Sequence, residues 1–94
     1  MNVVLSARAE RDVERLWAFL ASRNPRAADR FLHEIERAYR SLGDFPERGR
    51  PVRGRFRELV LPFGRGAYVL RYTVSAGRRT VVVVRVWHGR ESRP

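Results

Sequence analysis

The spacing of apolar residues changes along this chain, and that change limits the folds open to it. From residue 7 to residue 43 the apolar residues recur every three or four positions, which is the period of an amphipathic helix. From Arg57 onwards they follow a period of two, which is typical of strands in a sheet. The pattern therefore predicts helices followed by a sheet, an α+β fold.

The first half predicts one short strand and two helices. Residues 2–5 form the strand, Ser6 caps a helix over residues 7–22, and Asn24-Pro25 begins a second helix that Gly43 ends. The predicted apolar stripes are Ala9, Val13, Leu16, Trp17 and Leu20, then Ala28, Phe31, Leu32, Ile35, Tyr39 and Leu42. Arg11, Asp12, Glu14 and Arg15 are expected on the exposed faces. Because the connection is so short, the helices should form an antiparallel hairpin.

The second half predicts a loop and three strands. Prolines and glycines make residues 44–55 a loop, and strands are predicted over residues 57–63, 67–74 and 80–87. Such a meander buries one face under the helices and leaves the other open. The prediction for residues 1–94 is a single domain with β-α-α-β-β-β order, its antiparallel helical hairpin packed on a small twisted antiparallel sheet.

Alternation predicts which strand residues share a face. In the middle strand Tyr68, Leu70, Tyr72 and Val74 lie opposite Val69, Arg71 and Thr73. In the last strand strict alternation puts Val82, Val84, Val86 and His88 opposite Val81, Val83, Arg85 and Trp87. We expect the face of Arg71 and Arg85 to be open and the other face to pack on the helices.

Charge is divided unequally along the chain. All 20 basic residues are arginines, and the net charge is +10. Residues 1–47 contain eight arginines and eight acids, whereas residues 48–94 contain twelve arginines against Glu58 and Glu91. A basic half-molecule attracts nucleic acid, a ribonucleoprotein or an acidic protein. The alternative is a solvated surface that keeps the protein soluble.

Several kinds of chemistry find no support. Without cysteine there is neither a disulfide nor a thiolate metal site, and His33 and His88 lack ligand partners at a metal-binding spacing. The serines lie in no nucleophile elbow. No leader or membrane-spanning run is evident, so we expect a cytoplasmic protein with no cofactor and no membrane partner.

The last predicted strand ends in a polar cluster of Arg85, His88, Arg90 and Arg93. Such a cluster can stabilise a phosphoryl transition state with histidine as acid or base, as in a metal-independent ribonuclease. It can equally dock phosphates or carboxylates, or be a solvated basic tail. Trp87 beside it could stack on a base, fill a partner's pocket or pack at the rim of the core.

The chain resembles the RelE/ParE superfamily of toxins from bacterial type II toxin–antitoxin modules, and most of all its ParE branch. Three pieces carry the resemblance in this order: Asn24-Pro25 with Ala27-Ala28, FPERGRP over residues 45–51, and RVWHGR over residues 85–90. The resemblance implies a β-α-α-β-β-β fold, in agreement with the order predicted from periodicity.

The branch decides the function that the resemblance implies. RelE-type members cleave mRNA on the ribosome, whereas ParE-type members inhibit DNA gyrase by stabilising its cleaved complex with DNA. Val69 stands where RelE-type toxins often have arginine, and no tyrosine follows Arg90. The resemblance thus favours a gyrase inhibitor and not an enzyme. The alternatives are a ribosome-dependent endoribonuclease using Arg85, His88 and Arg90, and an inactive toxin fold that only binds antitoxin or acts as co-repressor.

The resemblance also implies partners and binding residues. A ParD-like antitoxin would fold its C-terminal segment on the toxin, DNA gyrase would be the target, and no stable direct DNA binding by the toxin alone is expected. The expected target-binding residues are Arg71, Arg85, Trp87, His88, Arg90 and Arg93. The expected antitoxin-binding residues are Trp17, Phe19, Leu20, Phe31, Tyr39, Arg57 and Tyr68.

Overall fold

The computed structural model describes all 94 residues and contains two helices packed on one face of a five-stranded sheet. The helices are α1 (Ala7–Ala21) and α2 (Pro25–Asp44). The strands are β1 (Asn2–Leu5), β2 (Arg50–Pro51), β3 (Arg57–Phe63), β4 (Gly66–Ser75) and β5 (Thr80–His88), in the spatial order β1-β5-β4-β3-β2. The predicted α+β class, with a helical hairpin on a sheet, is confirmed. Neither helix combines the length and apolar character needed to cross a membrane.

Both predicted helix starts are confirmed by capping bonds. Ser6 Oγ accepts the N–H of Ala9 at 3.0 Å, and Asn24 Oδ1 accepts the N–H of Ala27 at 3.1 Å. These bonds satisfy backbone donors that the first turn of a helix leaves free. The short connection then turns the chain back, so that α1 and α2 pack against each other.

Gly43 does not end α2, contrary to the prediction, but lies inside its last turn. A Cβ at this position would come within 2.8 Å of the Met1 carbonyl oxygen. The Met1 ammonium also donates to the Gly43 carbonyl at 2.8 Å. The absence of a side chain therefore lets the N-terminus approach the helix closely, and left-handed backbone geometry plays no part.

The helical stripes are confirmed at most positions, and the buried apolar residues of the two helices include Ala9, Leu16, Phe31, Ile35, Ala38 and Leu42. Trp17 and Leu32 are instead each 40% exposed. Each follows a buried residue by one position, which rotates its side chain about 100° away from the sheet. The prediction that Asp12 lies on an exposed face is also wrong, because Asp12 is only 2% exposed.

The sheet is mixed, because β1 runs parallel to β5, with Asn2 opposite Thr80 and Leu5 opposite Val83. Strands β3, β4 and β5 form the predicted antiparallel meander. The parallel pair is possible because a long stretch of chain separates its two strands. Strand β2 is a two-residue addition from the predicted loop, and it pairs with the start of β3.

A β-bulge in β5 corrects the predicted faces of that strand. Arg71 opposes Arg85, but its neighbour Tyr72 opposes Val83, so Val84 is an extra residue. Strict alternation therefore fails, and the fully buried valines of β5 are Val81, Val83 and Val86. Arg71 and Arg85 still share the face away from the helices, as predicted.

Strand β1 covers only the first part of the edge of β5, and carboxylates close the rest. Asp12 Oδ2 accepts the N–H of Val86 at 2.9 Å. Glu91 Oε2 accepts the N–H of His88 at 2.9 Å. Helix α1 and the C-terminal segment thereby satisfy donors that a longer edge strand would otherwise bind.

Tyr72 anchors the loop between α2 and β3. Its hydroxyl donates to the Pro46 carbonyl at 2.8 Å and accepts the N–H of Gly49 at 2.7 Å. A Cβ on Gly49 would lie 2.6 Å from that hydroxyl, so only glycine fits. Arg57 adds hydrogen bonds to the carbonyls of Glu47 and Gly49. The loop is therefore fixed to the sheet.

Replacing Tyr72 with Phe should lower the free energy of unfolding by about 1–3 kcal/mol, because the buried N–H of Gly49 loses its acceptor. Urea unfolding followed by circular dichroism measures this loss. Tyr39→Phe is the matched control, since the buried Tyr39 hydroxyl has no hydrogen-bond partner and its removal should cost nothing. Equal losses in the two variants would contradict the assigned role of Tyr72.

Candidate functional site

An open groove of about 710 Å³ lies between α1 and the turn that joins β3 to β4, and we call it the α1–hairpin groove. Its floor is formed by the apolar and aromatic side chains of Leu16, Leu20, Phe63 and Tyr68. Its rim carries the charged side chains of Arg15, Arg65, Arg90 and Glu91. An apolar floor inside a charged rim is the usual composition of a protein-docking surface.

Aromatic rings build the floor of the groove outwards from the core. The ring of Tyr68 lies 4.7 Å from that of Phe31 and 5.5 Å from that of Phe63, measured between centroids. His88 meets Tyr68 edge-on at 5.1 Å. Burial raises the pKa of Tyr68, and the nearby charge of Glu91 acts in the same direction. The Tyr68 phenol is therefore neutral at physiological pH.

The His88 ring is held in one orientation at the edge of the groove. Its Nδ1 accepts the N–H of Arg90 at 3.1 Å, so Nδ1 carries no proton and the ring proton lies on Nε2. Nε2 faces Gly66, where a Cβ would come within 2.9 Å of it. Gly66 therefore leaves the space that the imidazole occupies.

Glu91 fastens the C-terminal segment across the end of the groove. Its Oε1 accepts a hydrogen bond from Arg15 of α1, and its Oε2 accepts the N–H of His88. Burial alone would raise the pKa of Glu91, but the bonds from Arg15 and His88 outweigh it and lower that pKa. The ionised carboxylate thus links α1 to the end of β5.

A row of charged side chains crosses the open face of the sheet, where Arg50, Glu58, Arg71 and Arg85 occupy facing positions on β2 to β5. The Glu58 side chain is only 1% exposed. Arg71 donates to its Oε2 through Nε at 3.1 Å and Nη2 at 2.9 Å. Arg93 donates to Oε1 at 2.5 Å. One buried carboxylate therefore holds two arginines, with Arg50 at 3.9 Å.

Trp87 lies on the same open face but is covered. It is 3% exposed, because the guanidinium carbons of Arg71 and Arg93 lie 5.0 and 5.6 Å from its ring centroid. Both distances are within the range of a cation–π contact. Trp87 cannot stack on a base while these arginines remain in place.

Arg85 is paired with Asp12 of α1. Its Nε donates to Asp12 Oδ2 at 2.9 Å, and the same oxygen accepts the N–H of Val86. Arg8 and Arg15 approach the other oxygen, Oδ1, at 3.5 and 3.9 Å. Asp12 is therefore the shared partner of a sheet arginine, a sheet backbone donor and two helix arginines.

The structure divides the predicted target-binding residues into two groups. Arg71, Arg85 and Arg93 are engaged by buried carboxylates, and Trp87 lies beneath two of them. Only His88 and Arg90 line the groove. The six residues thus do not form one free basic patch.

The carboxylates that organise these arginines were missed by the sequence reasoning. Glu58 and Glu91 are the only acids in the basic half, and that isolation was the available signal for an ion-pair role. Asp12 gave no such signal, because it lies among the charged residues of a helix. No three His, Cys, Asp or Glu side chains converge as metal ligands would.

Three of the predicted antitoxin-binding residues line the groove, and a fourth, Trp17, lies on α1. The three in the groove are Phe19, Leu20 and Tyr68. Phe19 is 57% exposed, and Trp17 on the same helix is also exposed. Because Trp17 and Phe19 are two positions apart, their side chains project to opposite sides of α1, and only Phe19 adds apolar surface to the groove.

The other three predicted antitoxin-binding residues lie elsewhere. Phe31 is fully buried in the core. Tyr39 lies in a second groove, between α1 and α2, and Arg57 holds the loop before β3. These three residues lie outside the α1–hairpin groove.

Glu58 should make the stability of the fold sensitive to acid. Burial by itself would raise the Glu58 pKa, but hydrogen bonds from Arg93 and Arg71 outweigh it and lower the pKa. A carboxyl group with a lowered folded-state pKa stabilises the fold above its unfolded value of about 4.3, and this contribution is lost as the pH falls through the folded-state pKa. Urea unfolding at a series of pH values from neutral to acid should show this fall.

In Glu58→Gln the same series should fall less steeply on the acid side, because the titrating group has been removed. The variant should also be less stable at neutral pH, since Arg71 and Arg93 lose their anionic partner. Glu14→Gln, at an exposed position of α1, is the control and should follow the parent protein. An acid limb as steep in Glu58→Gln as in the parent would contradict the assignment.

Comparison with known proteins finds relatives named for both branches of one superfamily. The family model described as "ParE toxin of type II toxin-antitoxin system, parDE" matches residues 3–93. Toxin RelE1 of Caulobacter vibrioides is 46% identical to the chain, and the match covers 98% of this chain and 97% of that protein. Toxin RelE3 of the same organism is 37% identical, and the match covers 98% of each chain. A solved chain of the chromosomal ParDE TA system from P. aeruginosa has the same fold, with a TM-score of 0.76 at 16% identity, covering 94% of this chain and 95% of that one. The chain described here therefore belongs to the ParE toxin family of type II toxin–antitoxin systems, within the RelE/ParE superfamily.

Proposed function

We propose that this toxin binds DNA gyrase and stabilises the cleaved gyrase–DNA complex, and that a ParD-like antitoxin neutralises it. The observation that carries the proposal is the engagement of Arg71, Arg85 and Arg93 by buried carboxylates. A metal-independent ribonuclease needs cations that are free to meet the charge that develops on the phosphate. Three of the candidate cations are already paired within the fold, which favours binding over catalysis.

Moving these arginines onto a substrate would be costly. Asp12 and Glu58 are almost completely buried, and each would lose its shortest ion pairs to arginine and keep only more distant arginines. Breaking a buried ion pair by removing one partner costs about 3–5 kcal/mol. A substrate phosphate would therefore compete with partners that the fold already supplies.

The α1–hairpin groove supports a docking site for the antitoxin. Its apolar floor and the exposed ring of Phe19 offer buried area to the apolar side of an amphipathic helix. Arg65 and Arg90 on the rim suit acidic residues at the margins of such a helix. Because His88 also lines this groove, an antitoxin docked here would cover residues that we expect to meet the target.

A second candidate function, ribosome-dependent cleavage of mRNA, is favoured by one observation. His88 carries its proton on Nε2 at the groove, and Arg65 and Arg90 lie on the same rim without ion-pair partners. An acid–base group and two free cations in one cleft can supply the proton transfer and the charge stabilisation that phosphodiester cleavage uses. The names of the Caulobacter relatives, Toxin RelE1 and Toxin RelE3, point in the same direction.

The purified toxin, mixed with gyrase, ATP and supercoiled plasmid, should increase the amount of linear plasmid above that of a gyrase-only reaction. Arg90→Ala should raise the toxin concentration needed by about tenfold or more, because an arginine that acts as a hot spot of an interface is worth about 2 kcal/mol. Agarose gels after detergent and protease treatment measure the linear product.

Arg11→Ala, at an exposed position of α1, removes the same charge and should leave the gyrase reaction unchanged. No linear plasmid above the gyrase-only level would count decisively against the proposal. Cleavage of mRNA on purified ribosomes that Arg90→Ala abolishes would replace it with the second candidate function.

A further inference from the structure

In departure from the expectation that the toxin alone does not bind DNA stably, we propose that the end of the sheet farthest from the α1–hairpin groove binds the phosphate backbone of duplex DNA, weakly at physiological salt. We call it the basic end, and it consists of the exposed side chains of Arg53, Arg55, Arg78 and Arg79. The inference deepens the proposed function and rests on it in one respect, since the DNA would be the segment that gyrase holds.

Strand register puts the four arginines at one end of the sheet. Strand β3 begins opposite Tyr72, so the connection between β2 and β3, which carries Arg53 and Arg55, emerges beside the last part of β4. The β4–β5 turn, which carries Arg78 and Arg79, lies just beyond that part of β4. The β3–β4 turn and the groove are at the opposite end.

The positive charge of the basic end is not neutralised. None of its four arginines forms an ion pair, in contrast to Arg71, Arg85 and Arg93. The only acid between residues 48 and 90 is Glu58, which is buried and occupied by other arginines. The charges of the basic end are therefore available to an external anion.

The backbone at Arg79 gives a second, independent argument. Its φ angle is 50°, in the left-handed region where glycine is the favoured residue. Its N–H donates to the Ala76 carbonyl and its own carbonyl accepts the N–H of Asn2, so the fold uses only its main chain. Glycine would keep both bonds without strain. An arginine at this position therefore costs some stability relative to glycine, which favours a use of its side chain outside the fold.

The composition of the basic end favours duplex DNA over an acidic protein or a single-stranded nucleic acid. A protein interface needs an apolar centre, and none of the large exposed apolar residues of this chain lies on the two connections that carry the arginines. Binding of single strands relies on exposed aromatic rings, and the one aromatic residue of the two connections, Phe56, is only partly exposed. Arginines alone suit a duplex backbone, which presents about one charge per 1.7 Å of helix axis.

The double variant Arg78→Ala/Arg79→Gly tests the inference in the full chain. Binding to a fluorescein-labelled duplex of about 20 base pairs is followed by anisotropy over a series of salt concentrations. Each lost phosphate contact should reduce the slope of log K against log salt by about 0.9, so the slope should become shallower by about 1.8. At 50 mM salt the binding should weaken at least about tenfold. At physiological salt the parent complex is itself weak, with a Kd of about 10⁻⁴ to 10⁻⁶ M.

The control variant is Arg11→Ala/Arg26→Ala, which removes the same two charges from exposed helix positions and should bind as the parent protein does. Equal weakening by the two double variants would overturn the inference, as would the absence of duplex binding or stronger binding to single-stranded RNA. Arg79→Gly alone should keep or raise the melting temperature. A lower melting temperature would show that the side chain serves the fold, and would overturn the second argument.

The gyrase assay separates this inference from the proposed function. If the parent toxin linearises plasmid and the basic-end variant matches it both in gyrase poisoning and in duplex binding, the inference fails and the proposed function stands. If duplex binding depends on the basic end but no variant, the parent included, increases linear plasmid, the proposed function fails and the DNA-binding surface stands.

Discussion

The carboxylate of Asp12 joins the helical layer to the sheet at the edge where β5 has no neighbouring strand. One oxygen, Oδ2, accepts both the N–H of Val86 and the guanidinium of Arg85 at 2.9 Å. A carboxylate removed from water and left unpaired costs several kcal/mol, so these contacts are a condition of its burial. The end of β5, the position of His88 and the groove beside it all depend on this closed edge.

Glu58 is the buried carboxylate that pairs with arginines on the open face of the sheet, as Asp12 is at the edge of the sheet. It binds Arg71 and Arg93, and the guanidinium groups of both cover Trp87. Two buried acids thus convert most of the arginines of the sheet into structural groups. In the basic half of the chain, arginines without ion pairs remain at the rim of the α1–hairpin groove and at the basic end. This division is the reason for proposing that the toxin acts by binding.

Periodicity and capping predicted the elements, because Ser6, Asn24 and the apolar stripes are local signals. Three features depended on tertiary contacts that no local pattern contains. Asp12 resembles any exposed helix acid until the free edge of β5 is placed against it. The bulge at Val84 reverses the faces of the valines before it, which alternation cannot anticipate. Arg85 resembled a free cation for the same reason, since its partner lies 73 positions away in the chain.

Native-state hydrogen exchange at the amide of Val86, followed by NMR, tests most directly whether Asp12 closes the edge of the sheet. The account predicts that this amide exchanges as slowly as the core amides of β4, because its acceptor is buried and leaves only on global unfolding. In Asp12→Ala the amide should lose this protection while β4 keeps its own. Rapid exchange of the Val86 amide in the parent protein, at the rate of an exposed edge amide, would contradict the account.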